Sequence, residues 1–336
     1  MIVTAGIIAL NEEKYLPGLL ADLRRQTYPH DQIEVILVDS GSGDGTKRIM
    51  EAFREDNGED FRNILLLDNP EGIQATGWNA VIRNASGDAI VRIDAHCTIQ
   101  EDFIERNVAC LESGEAICGG PVTFLTDDLS AFGRMLLDAE TSSFGSGPAE
   151  YRQEAPEKKY VRSVFKAAYR REVFNRVGCF REDLIRTEDN EMHWRMIRAG
   201  YRICFDPSIR SGHYIRSGLG AMLRQKFGNG YWIGRTVYIC PGCLSAFHLL
   251  PMLFLLSVIL GTALAFSGRP ALLAGVGAAY MAIMIINALR CVFRTGNAAD
   301  LLLPAVCLLI HFSYGAGTVC GLAAGGWRKC TAERKN

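Results

Sequence analysis

The chain has 336 residues, 49% of them hydrophobic and 22% charged, with a formal net charge of -1. That balance excludes a disordered tail protein, a collagen-like repeat and a basic nucleic-acid binder. The average conceals two unlike parts: residues 1–243 hold 29 Lys and Arg against 35 Asp and Glu, whereas residues 244–336 hold 7 against 2.

Val3 to Leu10 is a continuous apolar run ending at Asn11-Glu12-Glu13, after which Leu16, Leu19, Leu20 and Leu23 recur at helical spacing. The pattern predicts a buried strand, a loop and an amphipathic helix. Glu34 to Val38 repeats the strand signal, Asp39 to Thr46 is a Gly-rich loop, and Lys47 to Glu55 reads as a second helix. Ile64 to Leu67, Ile73 to Ala85 and Ala89 to Ile93 continue as strand, helix and strand. Alternation of this kind predicts a parallel, three-layer α/β sheet. Ligands of such sheets lie at the carboxyl ends of the strands, so the residues just after each strand are the candidates for function. Eleven scattered cysteines, an odd number, read as free thiols of a reducing compartment.

The loop from Asp39 to Thr46 lacks the Gly-Lys-Ser/Thr ending of a P-loop, and it does not follow the first strand, which excludes a dinucleotide fingerprint. Asp39 is then either a turn-capping residue or an acceptor for a base or ribose. Asp94-Ala-His96 leaves the fourth strand with a carboxylate and an imidazole at alternate positions. Either this is a surface turn, or the two groups converge on a divalent cation that neutralises a diphosphate. Imidazole tilts the choice towards Mn2+, with Mg2+ as the alternative. The stretch 141–160, rich in Ser, Gly, Glu, Lys and Pro, reads as a mobile loop that closes over a ligand or as a surface excursion. Glu188-Asp189 opens a predicted helix over 190–199 that ends at Gly200. Backbone dipoles favour an anion there, so the pair either caps the helix or serves as a general base.

Ile8-Ala-Leu-Asn-Glu12, Val35-Ile-Leu-Val-Asp-Ser-Gly-Ser-Gly-Asp-Gly-Thr46, Gly72 with Asn79, Gly87-Asp88, Val91-Arg-Ile-Asp-Ala-His96 and Thr187-Glu-Asp189 follow one another over the first 215 residues. In that order they resemble family 2 glycosyltransferases. The resemblance implies a GT-A fold, a Rossmann-like α/β domain for nucleotide-diphospho-sugars, and places Asn11, Glu12, Asp39 and Asn79 in the nucleotide-sugar site. Asp94 would face ribose and sugar phosphate, and His96 would stand where relatives carry a metal-binding Asp. His213 matches a downstream His that contacts metal or diphosphate. Asp189, with Glu188, would deprotonate the acceptor hydroxyl in an inverting transfer. Arg-Ile-Asp-Ala-His, together with the apolar C-terminal part, is similar to succinoglycan-type exopolysaccharide glucosyltransferases. That likeness implies a UDP-sugar donor, a lipid-linked polyprenyl diphosphate glycan as acceptor, and a bacterial cytoplasmic membrane with the catalytic domain on the cytoplasmic side.

Pro207 to Cys243 contains Arg210, Arg216, Arg224, Lys226 and Arg235 with no acidic residue, which suits attraction to anionic lipid. Arg216, Arg224 and Lys226 are candidates for the phosphates of a lipid-linked acceptor. Leu244 to Phe266, Ala271 to Leu289 and Leu301 to Gly326 are uncharged runs of 23, 19 and 26 residues. A bilayer core of about 30 Å needs roughly 20 apolar residues as helix, so each run is long enough to cross it. The expected organisation is a catalytic domain over 1–215, a basic segment over 216–243, a membrane region over 244–326 and a tail over 327–336. A processive synthase fits less well, because Gln-x-x-Arg-Trp is absent. Two rival readings are a non-catalytic nucleotide-sugar-binding assembly subunit and a sugar transferase acting directly on polyprenyl phosphate.

Overall fold

The computed structural model describes residues 1–142, 144, 145 and 155–333, so part of the predicted 141–160 loop lies outside the described residues. The chain divides into two compact units, Met1–Thr123 with Glu150–Tyr214 and Phe124–Ala149 with Ile215–Asn336.

The first unit opens with β1 (Val3–Ala9), α1 (Leu16–Arg24), β2 (Ile33–Asp39), α2 (Thr46–Asn57), β3 (Asn63–Asp68), α3 (Gln74–Asn84) and β4 (Ala89–Asp94). The four strands pair in parallel in the order β3-β2-β1-β4. Next come β5 (Cys97–Ile99), α4 (Phe103–Glu112), β6 (Ile117–Gly119) and β7 (Val122–Leu125), in which the chain passes into the second unit and its α5 (Ala131–Thr141). It returns as β8 (Lys159–Val161), β9 (Ala167–Arg170), α6 (Arg171–Val177), α7 (Glu188–Arg198), β10 (Ile203–Phe205) and β11 (Ser211–Tyr214). The finished sheet has eight strands in the order β3-β2-β1-β4-β9-β6-β10-β8, and β5, β11 and β7 form a small second sheet.

The expectation of an all-parallel sheet holds for the first four strands and fails at the fifth position. There β9 enters between β4 and β6 and runs antiparallel to both. After β4 the chain leaves the sheet edge to make β5, so its next neighbour arrives from much later in the sequence rather than over a right-handed crossover.

Strand alternation sorts the core into two layers. Val35 and Leu37 of β2 meet Leu16, Leu19 and Leu23 of α1, Met50 of α2 and Phe103 of α4 on one face. Ile36 and Val38, together with Ile90 of β4, meet Trp78 and Val81 of α3, Phe174 of α6 and Met192 of α7 on the other. By the same alternation Arg92 and Asp94 follow Ile90 onto the face that carries α3, α6 and α7.

The second unit adds α8 (Leu219–Ile239), α9 (Leu250–Phe266), α10 (Ala271–Thr295) and α11 (Leu303–Glu333). Three stretches are long and apolar enough to cross a membrane: Ala246–Phe266, Ala271–Thr295 and Ala298–Gly326. Met135, Leu136 and Ala139 of α5 pack with Met222 of α8, Met284 and Ala288 of α10 and Leu303 and Val306 of α11. Asp138 of α5 pairs with Arg294, and Glu140 pairs with Lys226 at 2.6 Å. The charge of buried Lys226 is therefore already balanced by Glu140, at odds with its expected role at an acceptor phosphate, while Arg216 and Arg224 are exposed.

Helices α8 and α11 run side by side in parallel. Leu223 faces Ser313, whose hydroxyl donates to the Leu223 carbonyl at 2.8 Å, and Tyr231 faces Gly321. Glycines let the two backbones touch: a Cβ on Gly321 would sit 2.0 Å from the Tyr231 carbonyl oxygen, and one on Gly230 would sit 2.0 Å from that of Tyr314. Gly321→Leu is expected to force the pair apart and cost about 1–3 kcal/mol, the usual penalty of overpacking. Thermal unfolding in detergent reads this as a lowered midpoint, whereas Gly275→Ala, with nothing within 4 Å of its added Cβ, leaves the midpoint unchanged or higher.

A candidate active site at the strand ends

The loops after β1 and β2 are knitted together by their own polar groups. Asn11 takes φ 55°, a left-handed conformation that Asn tolerates better than most residues. Its backbone N–H donates to Ser42 Oγ at 3.0 Å, and its Oδ1 accepts from the Gly43 N–H at 2.8 Å. The Glu12 N–H donates to Thr46 Oγ1 at 2.7 Å, and the Gly45 N–H to Glu13 Oε2 at 2.7 Å. Buried Asp39 receives the Ser42 N–H at 3.2 Å, which shapes the turn around its carboxylate. The Ser-Gly-Ser-Gly-Asp-Gly stretch thus serves to close this turn. Asn79 is placed differently from expectation: its amide donates to the Phe180 carbonyl and Glu182, and its Oδ1 accepts from the Phe180 N–H at 2.8 Å. Its hydrogen bonds go to the segment leading into α7.

The end of β4 supplies Asp94 and then His96. His96 Nδ1 lies 3.1 Å from Glu12 Oε1, and its ring packs against that of His213 with centroids 4.5 Å apart. His213 comes to this place through the antiparallel register of β11 on β5, which sets it opposite Cys97. Lys166, 2% exposed, donates to the Gly212 carbonyl at 3.0 Å and holds the start of β11 against the sheet.

Burial opposes ionisation of Asp94, but Arg92, Lys166, His213 and His96 outweigh it and keep its carboxyl below the ordinary carboxylate range. Arg92 is 4% exposed, with its guanidinium 4.8 Å from the Trp78 ring and its Nε 3.8 Å from Asp94 Oδ1. Burial disfavours its charge too, yet Asp94, Asp189 and Glu188 more than restore it. The charge of Arg92 is thus supported electrostatically from both the end of β4 and the first turn of α7.

Glu188 and Asp189 differ in environment. Glu188 is 2% exposed, and burial followed by the neighbouring Asp189 pushes its carboxyl up to about 8. At neutral pH it is mostly protonated, so it cannot act as a base there. Asp189 is partly exposed, and its Oδ1 accepts the Asn190 N–H at 2.8 Å. One turn along, His193 is buried between Ser163 Oγ and Tyr169 OH, each 2.9 Å from a ring nitrogen. Burial holds its imidazole down to about 4, so it stays neutral and supports α7.

Among the described residues no three His, Cys, Asp or Glu side chains converge on one point to hold a metal unaided. A cation that also binds substrate phosphates needs only one or two protein donors. The Asp94 carboxylate and His96 Nε2 fit that smaller set, because a metal-binding His commonly gives its other nitrogen to a carboxylate, as His96 Nδ1 does to Glu12.

Sequence reading gave no role to Arg92, which it met only as a letter of the Arg-Ile-Asp-Ala-His motif, and it passed over Lys166, Tyr169 and His193. The signal for Arg92 was present, a lone cation in an otherwise apolar strand and two residues before Asp94.

A mixed sheet of this strand order, with acidic residues gathered at its carboxyl edge, has the GT-A architecture of nucleotide-sugar-dependent transferases. The chain belongs to glycosyl transferase family 2, whose model matches residues 4–178, and is a glycosyltransferase. It is 32% identical over 228 residues to the succinoglycan biosynthesis protein ExoA of Rhizobium meliloti, a match covering 67% of this chain and 66%, just under two thirds, of that protein. It is 25% identical over 329 residues to the dolichyl N-acetyl-alpha-D-glucosaminyl phosphate 3-beta-D-2,3-diacetamido-2,3-dideoxy-beta-D-glucuronosyltransferase of Methanococcus voltae, covering 95% of this chain and 96% of that one. In fold it matches the mannosyltransferase PcManGT of Pyrobaculum calidifontis, solved with GDP-Man and Mn2+, with a TM-score of 0.60 and 18% identity over 96% of this chain and 87% of that chain.

The Glu188 assignment has a pH signature. A carboxyl raised from 4.5 to about 8 on folding contributes stability that is complete below 4.5 and is lost as pH rises through about 8. Glu188→Gln removes that titration, so its melting temperature is expected to fall less than that of wild type between about pH 6 and about pH 9. Equal slopes for the two proteins count against a neutral Glu188.

Proposed function

We propose that the protein is a membrane-anchored inverting glycosyltransferase that moves a hexose from a UDP-sugar to a lipid-linked oligosaccharide during exopolysaccharide or capsule assembly. The observation that carries this reading is the cluster at the strand ends, where Asp94 lies 3.8 Å from buried Arg92 and His96 lies between Glu12 and His213. ExoA is named for succinoglycan biosynthesis, and the Methanococcus relative for transfer to a dolichyl phosphate sugar, which supports a lipid-linked acceptor. Three helices long and apolar enough to cross a membrane suit such an acceptor, with the catalytic unit on the cytoplasmic face of a bacterial inner membrane.

In this reading Asn11 and Asp39 meet the nucleotide, and Glu12 orients His96. Asp94 and His96, with His213 beside them, would hold a divalent cation, for which imidazole favours Mn2+ over Mg2+. Bound there, such a cation would supply positive charge to the diphosphate. Asp189 takes the proton of the acceptor hydroxyl. The hydroxyl oxygen bonds to the anomeric carbon as the bond to the diphosphate breaks, which inverts the configuration. Arg216 and Arg224 attract the phosphates of the acceptor.

The test is transfer of label from UDP-, GDP- and dTDP-hexoses to a bacterial membrane lipid fraction with Mn2+ present. Asp189→Asn is expected to lower kcat by about 10²–10⁴-fold, the usual worth of a general base, with donor KM little changed. Full activity in this variant removes Asp189 as the base. Wild type that binds donor without transferring it to any lipid or hydrolysing it is instead the assembly subunit. His96→Asp restores an all-oxygen donor set and is expected to shift the activating ion from Mn2+ towards Mg2+, read as the ratio of activities in the two metals.

A further inference from the structure

Asn79 of α3 is 1% exposed, and its amide is engaged on one short segment about 101 residues later in the chain. Its Nδ2 donates to the Phe180 carbonyl at 2.9 Å and to Glu182 Oε1 at 2.8 Å, and its Oδ1 accepts the Phe180 N–H at 2.8 Å. Both donors of the amide are thereby used, and both backbone groups of buried Phe180 are held by one side chain. The same segment is gripped by α7. Arg195 donates to the Val177 carbonyl and, at 2.9 Å, to the Cys179 carbonyl, and it forks onto the Glu191 carboxylate with two contacts of 2.8 Å. Paired N–H bonds of this kind fix direction as well as distance. Glu191, 3% exposed, lies in the first turn of α7, two residues after Asp189. A series of hydrogen bonds and one peptide link therefore runs from α3 through Phe180 and Cys179 to Arg195 and Glu191.

We propose that Asn79 is a positioning residue of the transfer reaction: it fixes the segment entering α7 to α3 and, through Arg195 and Glu191, sets where the first turn of α7 presents Asp189. A place in the nucleotide-sugar site, which the family resemblance implies for Asn79, would require these buried hydrogen bonds to break. Aspartate at this position has the same size but no amide donors, so its carboxylate would face the Phe180 carbonyl and Glu182 as one acceptor against two others. The Phe180 segment then shifts and carries the first turn of α7 with it. The loops after β1 and β2 close on their own hydrogen bonds and stay in place. The expected signature is a slower chemical step at an unchanged donor affinity.

The inference rests on Asp189 as the base, and the experiment separates the two. Asn79→Asp, Arg195→Lys, their double variant and Asp189→Asn are compared with wild type in full-length protein, using whichever radiolabelled UDP-, GDP- or dTDP-hexose gives the highest turnover. Rates are expressed per donor-binding site, so unfolded protein does not count. Asn79→Asp is expected to lose about 100-fold in kcat, the scale of a roughly 1 Å misplacement at a catalytic centre. Arg195→Lys keeps the charge without the fork and is expected to lose about tenfold, with donor KM within about threefold in both. Because the two residues act through one segment, the double variant is expected to lose about 100-fold, whereas independent effects would multiply to about 1,000-fold. A raised donor KM at wild-type kcat returns Asn79 to the donor site and overturns the proposal. So does wild-type kcat per site in either single variant, whatever its melting temperature, or a multiplied loss in the double variant. If Asn79→Asp does not accumulate as folded protein, the smaller and uncharged Asn79→Ser decides in its place by the same kcat and KM criteria. An active Asp189→Asn defeats the base and this inference with it. An inactive Asp189→Asn beside a fully active Asn79→Asp defeats this inference only.

Discussion

Charge under a closed sheet is the constraint on which the site depends. Asp94 and Glu188 are nearly buried and Asp189 half so, all on the face covered by α3, α6 and α7. Leaving one charge of a buried set unpaired costs about 3–5 kcal/mol. The protein meets this in two ways. Arg92 lies 3.8 Å from Asp94, and Glu188, the most enclosed of the three, is held protonated. Of the two neighbouring carboxylates, Glu188 is held protonated by its enclosure, and Asp189 is the one with access to solvent.

Placement of the remaining groups follows from local turn chemistry and strand register. The loops after β1 and β2 spend their Ser, Thr and Gly groups on each other, and this fixes Glu12 where it can meet His96. His213 arrives beside them because β11 pairs with β5, and Lys166 braces the start of β11. The cluster is thus held by short segments from five separate parts of the chain. Rigid backbone elements of this kind place side chains more narrowly than free loops do.

The first four strands and their helices could be read directly, because each strand is largely apolar and the segments between them carry apolar residues at helical spacing, a leucine stripe in α1. The strand-end candidates Asp39, Asp94 and His96 followed from that order and the rule that ligands sit at carboxyl edges. The insertion of β9 was not readable: Ala167–Arg170 is only four residues long, and its antiparallel direction depends on a chain excursion through another unit. Arg92 was visible as a letter but not as a buried group, since an arginine in a strand ordinarily reads as exposed. Asn79 matched a family position, yet the hydrogen bonds its amide makes to Phe180 and Glu182 appear only when α3 and the segment before α7 are placed together. Lys226 looked like a surface cation because Glu140, its partner, is 86 residues earlier in the chain.

The grouping of α5 with the C-terminal helices also bears on how the enzyme can be dissected. A chain stopped after Tyr214, at the end of the first unit, would retain α5 and lose the α8, α10 and α11 residues that pack on it. Met135, Leu136 and Ala139 would then lie bare, and Asp138 and Glu140 would lose Arg294 and Lys226. Such a fragment would expose an apolar stripe beside two uncompensated acids, a recipe for self-association. A chain that matches the first unit therefore has to lack 124–149 as well, so that unit is encoded in two pieces.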